Sequence, residues 1–104
     1  MSDFCVVMTT APSDETVQRL IDKALGEKLA ACVQAMPMKS HYVWKGEIVR
    51  EAETLLLFKA KASDYAALEE TIRAAHDYGT PEIIRLDVAA GLPAYLAWIA
   101  ASTR

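Results

Sequence analysis

The chain has 104 residues, a hydrophobic fraction of 53% and a formal net charge of −3, a length that suits one domain around one core, read here as residues 1–104. With 11 Lys and Arg against 14 Asp and Glu and no basic stripe, the composition speaks against nucleic-acid binding. No apolar run approaches the ~20 residues of a membrane helix, and Met1-Ser2-Asp3-Phe4 lacks the basic and apolar regions of a signal peptide, so a cytoplasmic protein that does not enter a membrane is expected.

Phe4-Cys5-Val6-Val7-Met8-Thr9 is an apolar run of strand formers and is read as the first strand. Ser13 is a helix N-cap followed by acidic Asp14 and Glu15. Val17, Leu20, Ile21, Ala24 and Leu25 then recur at helical spacing, which predicts a helix from near Ser13 to Leu29 or Ala30. Cys32–Met36 is a second strand interrupted by Pro37, which bends it or places it at a free edge. Ser40–Trp44, the turn Lys45-Gly46 and Glu47–Arg50 make a long hairpin with alternating aromatics. Thr54–Lys61 is the body of the third strand, and the pattern leaves open whether Ile48–Arg50 belongs to it.

Ser63-Asp64 is a second N-cap signal, and Tyr65, Leu68, Ile72 and Ala75 form the stripe of a second helix. Glu69 and Arg73 are spaced for an i,i+4 pair on its solvated face. Tyr78-Gly79-Thr80-Pro81 breaks that helix, and Glu82–Val88 alternates as a fourth strand. Gly91-Leu92-Pro93 opens a terminal helix with Tyr95, Trp98, Ile99 and Ser102 on one side.

The order β-α-β-β-α-β plus a helix predicts an α+β fold: a ferredoxin-like split βαβ sandwich with an antiparallel sheet, a long β2–β3 hairpin and an extra C-terminal helix. The two main helices would cover one face of its sheet. Yet Phe4–Met8 and Leu55–Phe58 are apolar at every position, whereas a strand with one wet face alternates. The second face therefore calls for a partner, and further copies of the same chain are expected to supply it.

Candidate chemistry is sparse. The spacing of Cys5 and Cys32 fits neither a disulfide framework nor a CxxC site. Cys32 is either a soft ligand for copper or a small core residue. His76 is either an imidazole ligand or a helix-terminal His favoured by the macrodipole. Glu82 and Lys59 are either a polar pair in a cleft or a surface ion pair. No phosphate loop and no Ser/His/Asp or Cys/His order is present, so the chain is read as a binding protein, not an enzyme.

Ala31-Cys32-Val33, Ser40-x-Tyr42-x-Trp44-Lys45-Gly46-Glu47-Ile48, Leu55–Lys59, His76-x-Tyr78-x-x-Pro81-Glu82-Ile83, and Gly91 followed by Tyr95 and Trp98 together resemble the CutA family of divalent-cation tolerance proteins. The resemblance implies a homotrimer similar in architecture to the PII signalling proteins, with intersubunit clefts and an association with copper or another divalent metal, and no organic cofactor. A metal site would gather its ligands from Cys32, His76, Glu82 or another subunit, and Tyr42, Trp44, Lys59 and Tyr78 are the candidate cleft residues. An alternative is a PII-like signalling module whose cleft takes a small anionic ligand or a partner protein. Gln34 stands where the family commonly has Asn, and Asp77-Tyr78-Gly79-Thr80 replaces a more typical Pro-Tyr-Glu-hydrophobic stretch.

Overall fold

A computed structural model describes residues 2–104. The elements are β1 (Phe4–Ala11), α1 (Asp14–Gly26), β2 (Cys32–Trp44), β3 (Glu47–Lys61), a 3-10 turn (Ala62–Asp64), α2 (Tyr65–Ala75), β4 (Ile83–Asp87) and α3 (Pro93–Ser102). The strands form one antiparallel sheet in the order β2-β3-β1-β4. This is the expected α+β split βαβ sandwich with its long hairpin and terminal helix.

Local chemistry accounts for the boundaries. Ser13 accepts a hydrogen bond from the Thr16 amide and caps α1. That helix stops at Gly26 rather than running to Leu29 or Ala30. Lys28 adopts a φ of 57°, and the amides of Lys28 and Leu29 return to the carbonyls of Leu25 and Ala24. This is a Schellman cap built without glycine, closed by the apolar pairing of Leu29 with Ala24 in the core.

β2 runs unbroken through Pro37 because it is an edge strand, where a missing N–H costs no ladder bond. Lys45 and Gly46 both take positive φ, 49° and 79°, as a two-residue I′ hairpin turn requires. Ile48–Arg50 is part of β3, a single strand of 15 residues.

Asp64 stands at the N-cap of α2, as the sequence signal predicts, but makes no capping bond; its carboxylate accepts from Arg104 Nε at 3.3 Å instead. The expected pair of Glu69 with Arg73 does not form. Arg73 pairs instead with Glu70 at 2.6 Å, while Glu69 accepts the Tyr65 hydroxyl at 2.6 Å.

Helices α1 and α2 cover one face of the sheet. Cys5, Val7 and Ala11 of β1 and Leu56, Phe58 and Ala60 of β3 are buried there against Val17, Leu20, Ala24, Leu68 and Ile72. The other face holds Val6, Met8, Leu57, Lys59, Ile84 and Leu86, which share their cross-strand pairs. α3 reaches its Lys59 end, where the Lys59 ammonium stands 5.6 Å from the centre of the Tyr95 ring. Beyond α3, Ile84 and Leu86 remain 47% and 49% exposed. The apolar side of β4 is thus the uncovered one, while Arg85 turns toward the helices and lies over the Tyr65 ring at 5.7 Å. In the single chain this reverses the usual sense of an amphipathic strand.

Candidate functional site

β3 changes its buried phase along its length. Leu56, Phe58 and Ala60 are buried near α1 and α2, whereas Glu53 is buried nearer the hairpin, yet the pairing of β3 with β2 has no slip. The coiling of a long hairpin brings its opposite face under cover at that end. What covers Glu53 is the loop between α2 and β4.

That loop is held from three sides. His76 Nε2 lies 2.7 Å from the Thr10 carbonyl, and its Nδ1 accepts from the Tyr78 amide at 3.1 Å. Both ring nitrogens are thereby engaged, one facing a carbonyl and the other an amide. Asp77 accepts from the Thr16 hydroxyl and, at 2.6 Å, from Arg19 Nη2. Arg19 Nε also donates to the Ala75 carbonyl at 2.9 Å. The Thr16 hydroxyl, then the Arg19 charge, hold the Asp77 carboxyl below its ordinary range.

Asp77 belongs to the stretch that departs from the family pattern, and α1 supplies its partners. With its pKa lowered in the folded protein, Asp77 adds stability above its unfolded pKa and loses it as pH falls through the folded value. The melting temperature of the wild type is expected to exceed that of Asp77→Asn at neutral pH, with the gap closing as acid titrates the carboxylate. Thermal melts across an acid pH series check this.

Between the loop and the outer hairpin lies a groove of about 810 Å³, within the size range of small-molecule sites. Tyr42, Trp44, Glu51, Glu53, Tyr78 and Glu82 line it. Tyr42 donates to Glu51 at 2.6 Å and Tyr78 donates to Glu53 at 2.9 Å. The Glu51 hydrogen bond pushes the Tyr42 phenol up to about 12, and burial followed by the Glu53 bond raises that of Tyr78. Both hydroxyls are therefore protonated donors at neutral pH.

Of the cleft residues expected from the sequence, the structure brings Tyr42, Trp44 and Tyr78 together and adds Glu82 to them. Lys59 is elsewhere, on the open face beside α3, and pairs across strands with Cys32 rather than meeting Glu82. Cys32 is half-buried at the start of β2, and Cys5 lies in the core, where burial pushes its thiol up. Among the described residues no three His, Cys, Asp or Glu side chains converge to hold a metal ion. Cys32, His76 and Glu82 are thus not a ready ligand set within one chain. Glu51 and Glu53 were not singled out from the sequence. Their signal was alternation, since Val49, Glu51 and Glu53 fall on one side of a strand.

The fold and the groove define a ferredoxin-like protein with a ligand-sized recess at one end of its sheet. The chain belongs to the CutA1 divalent ion tolerance protein family, whose match spans residues 5–102. It is 43% identical over 102 residues to the divalent-cation tolerance protein CutA of Yersinia pestis, covering 97% of this chain and 86% of that protein. It is 42% identical over 100 residues to the chloroplastic protein CutA 1 of Oryza sativa subsp. japonica, covering 95% of this chain but only 56% of that protein. The crystal structure of CutA from Xylella fastidiosa superposes with a TM-score of 0.95 at 35% identity, covering 99% of this chain and all of that one (100%). No helix among the described residues is long and apolar enough to cross a membrane.

Proposed function

We propose that the chain is a cytoplasmic, non-enzymatic protein of metal tolerance that works as a homotrimer of PII-like architecture and binds copper or another divalent cation. The family match over residues 5–102 carries this reading. The uncovered Ile84 and Leu86 support the assembly, because a soluble chain gains by burying such a face. A half-buried thiol at Cys32 suits a soft metal, with the remaining ligands gathered from His76, Glu82 or a second subunit. His76 would release either the Thr10 carbonyl or the Tyr78 amide in order to ligate.

Calorimetry of the reduced protein with Cu(I), Cu(II) and Zn(II) tests the reading. Cys32→Ala and His76→Ala are each expected to weaken copper binding at least tenfold. Wild-type affinity in both variants would remove these residues as ligands.

A second reading, a PII-like module whose cleft takes a small ligand, is favoured by the groove itself. Its lining changes the sign of the ligand. Lys59 is absent and Glu51, Glu53 and Glu82 are present, so an anion is disfavoured there.

A further inference from the structure

We propose that Thr103-Arg104, the segment after α3, is a latch that closes on the buried carboxylate of Asp64 and sets the pose of α3 on the sheet. Packing alone gives α3 little to hold it. The helix is apolar nearly all round, so no single stripe selects the face that packs. Ile99 is its one buried residue, and Tyr95 and Trp98 remain 40% and 44% exposed. A helix seated through so little area opens locally at low cost unless its ends are fixed.

Arg104 supplies the fixing point through three elements. Its amide donates to the Lys28 carbonyl at 3.0 Å, in the cap of α1 where Lys28 takes its left-handed turn. Its main-chain oxygen accepts from Lys61 Nζ at the end of β3. Its side-chain Nε donates to Asp64 Oδ1 at 3.3 Å, at the start of α2. The Thr103 hydroxyl donates to the Ile99 carbonyl at 2.9 Å, which ties the segment back to α3. The segment thus joins α3, beside Lys59 on the open face, to the two helices of the covered face.

Asp64 shows that the latch has a further position to reach. It is 7% exposed, and no described residue donates to its Oδ2. It makes no capping bond to α2, so the helix it precedes does not account for a carboxylate there. A buried oxygen without a donor is costly, and 3.3 Å is long for a charge-assisted bond, which ordinarily spans about 2.7–2.9 Å. The guanidinium has the complementary fork, because Nε and one Nη serve both oxygens of a carboxylate together. The Arg104 side chain is 55% exposed and pairs with no other acid among the described residues. A small advance of that side chain shortens the first bond and fills the second oxygen. The latch is engaged at one oxygen and poised to close on the other.

Amide hydrogen exchange of the full chain at fixed protein concentration tests the latch, read by mass spectrometry over α3 and over β1 and β3. In Arg104→Ala, a change at an exposed side chain, α3 is expected to exchange about tenfold faster relative to the two strands. Asp64→Asn, which keeps the side chain's shape without its charge, is expected to give the same local rise in α3 from the far side of the sheet. The double variant is expected to stay within about twofold of the faster single one, because both changes remove one interaction. Arg104→Lys, which keeps the charge without the fork, is expected to leave α3 about threefold faster than wild type. Unchanged α3 exchange in Arg104→Ala overturns the proposal. So does equal acceleration of α3 and the strands, which makes the contact a general stabiliser. Effects that multiply in the double variant, or wild-type exchange in Arg104→Lys, overturn it as well. Should Asp64→Asn fail to fold, the two Arg104 variants decide alone.

Discussion

Phe58→Ala is expected to destabilise the fold by about 3–5 kcal/mol, a large share of the ~5–15 kcal/mol that holds a domain together. Phe58 is wholly buried in β3, next to β1 on one side and β2 on the other. Its cross-strand partners are Val7 and Val33, and it belongs to the same core as Leu20, Leu68 and Ile72 of the two helices. Truncation removes the ring from every layer at once, and the rigid sheet beneath it cannot collapse into the space. Urea unfolding at fixed protein concentration is expected to show a lower midpoint with an unchanged slope. Val43→Ala, at a hairpin site 72% exposed, is expected to stay within about 0.5 kcal/mol of wild type. Equal midpoints for the two variants would mean that Phe58 is not the centre of the core.

How far the sequence carried the fold depends on the range of the signal. Lys45-Gly46 between alternating strands and Pro37 in a strand at the sheet edge are local features, and both are legible from a few residues. The end of α1 is not, because the residue that turns into the left-handed region is Lys28 and not a glycine. The cap is closed by Leu29 reaching the core, a tertiary event that helical spacing extends straight through.

The site shows the same division. Aromatics at Tyr42 and Trp44 stand out in the hairpin, and the loop motif brings Tyr78 and Glu82 into view. Lys59 also lies on β3, and nothing local separates it from Glu53. Yet six residues at about 3.3 Å each put it some 20 Å along the strand, at the other end of the sheet. In the sequence Glu51-Ala52-Glu53 is an acidic interruption between Glu47–Arg50 and the apolar body of β3. Only the coiling of the hairpin and the loop that Asp77 pins to α1 convert that interruption into the floor of a groove.

Leu86→Glu is expected to convert the proposed homotrimer into single folded chains at micromolar concentration. Leu86 sits on β4 opposite Val6, on the face that α1 and α2 do not reach, so a glutamate there meets solvent in the isolated chain and leaves the core undisturbed. In an assembly packed through this face, the leucine contributes about 1 kcal/mol per copy, since roughly half its surface awaits cover. The substitution forfeits that gain and buries a carboxylate beside Ile84 and Val6, a cost of several kcal/mol per copy that symmetry multiplies. Sedimentation velocity is expected to give the mass of one chain for Leu86→Glu and of three for the wild type, with matching far-ultraviolet circular dichroism. A wild type that sediments as one chain would remove the trimer. A variant that remains trimeric would place the subunit contact elsewhere and leave the exposed side of β4 without its explanation.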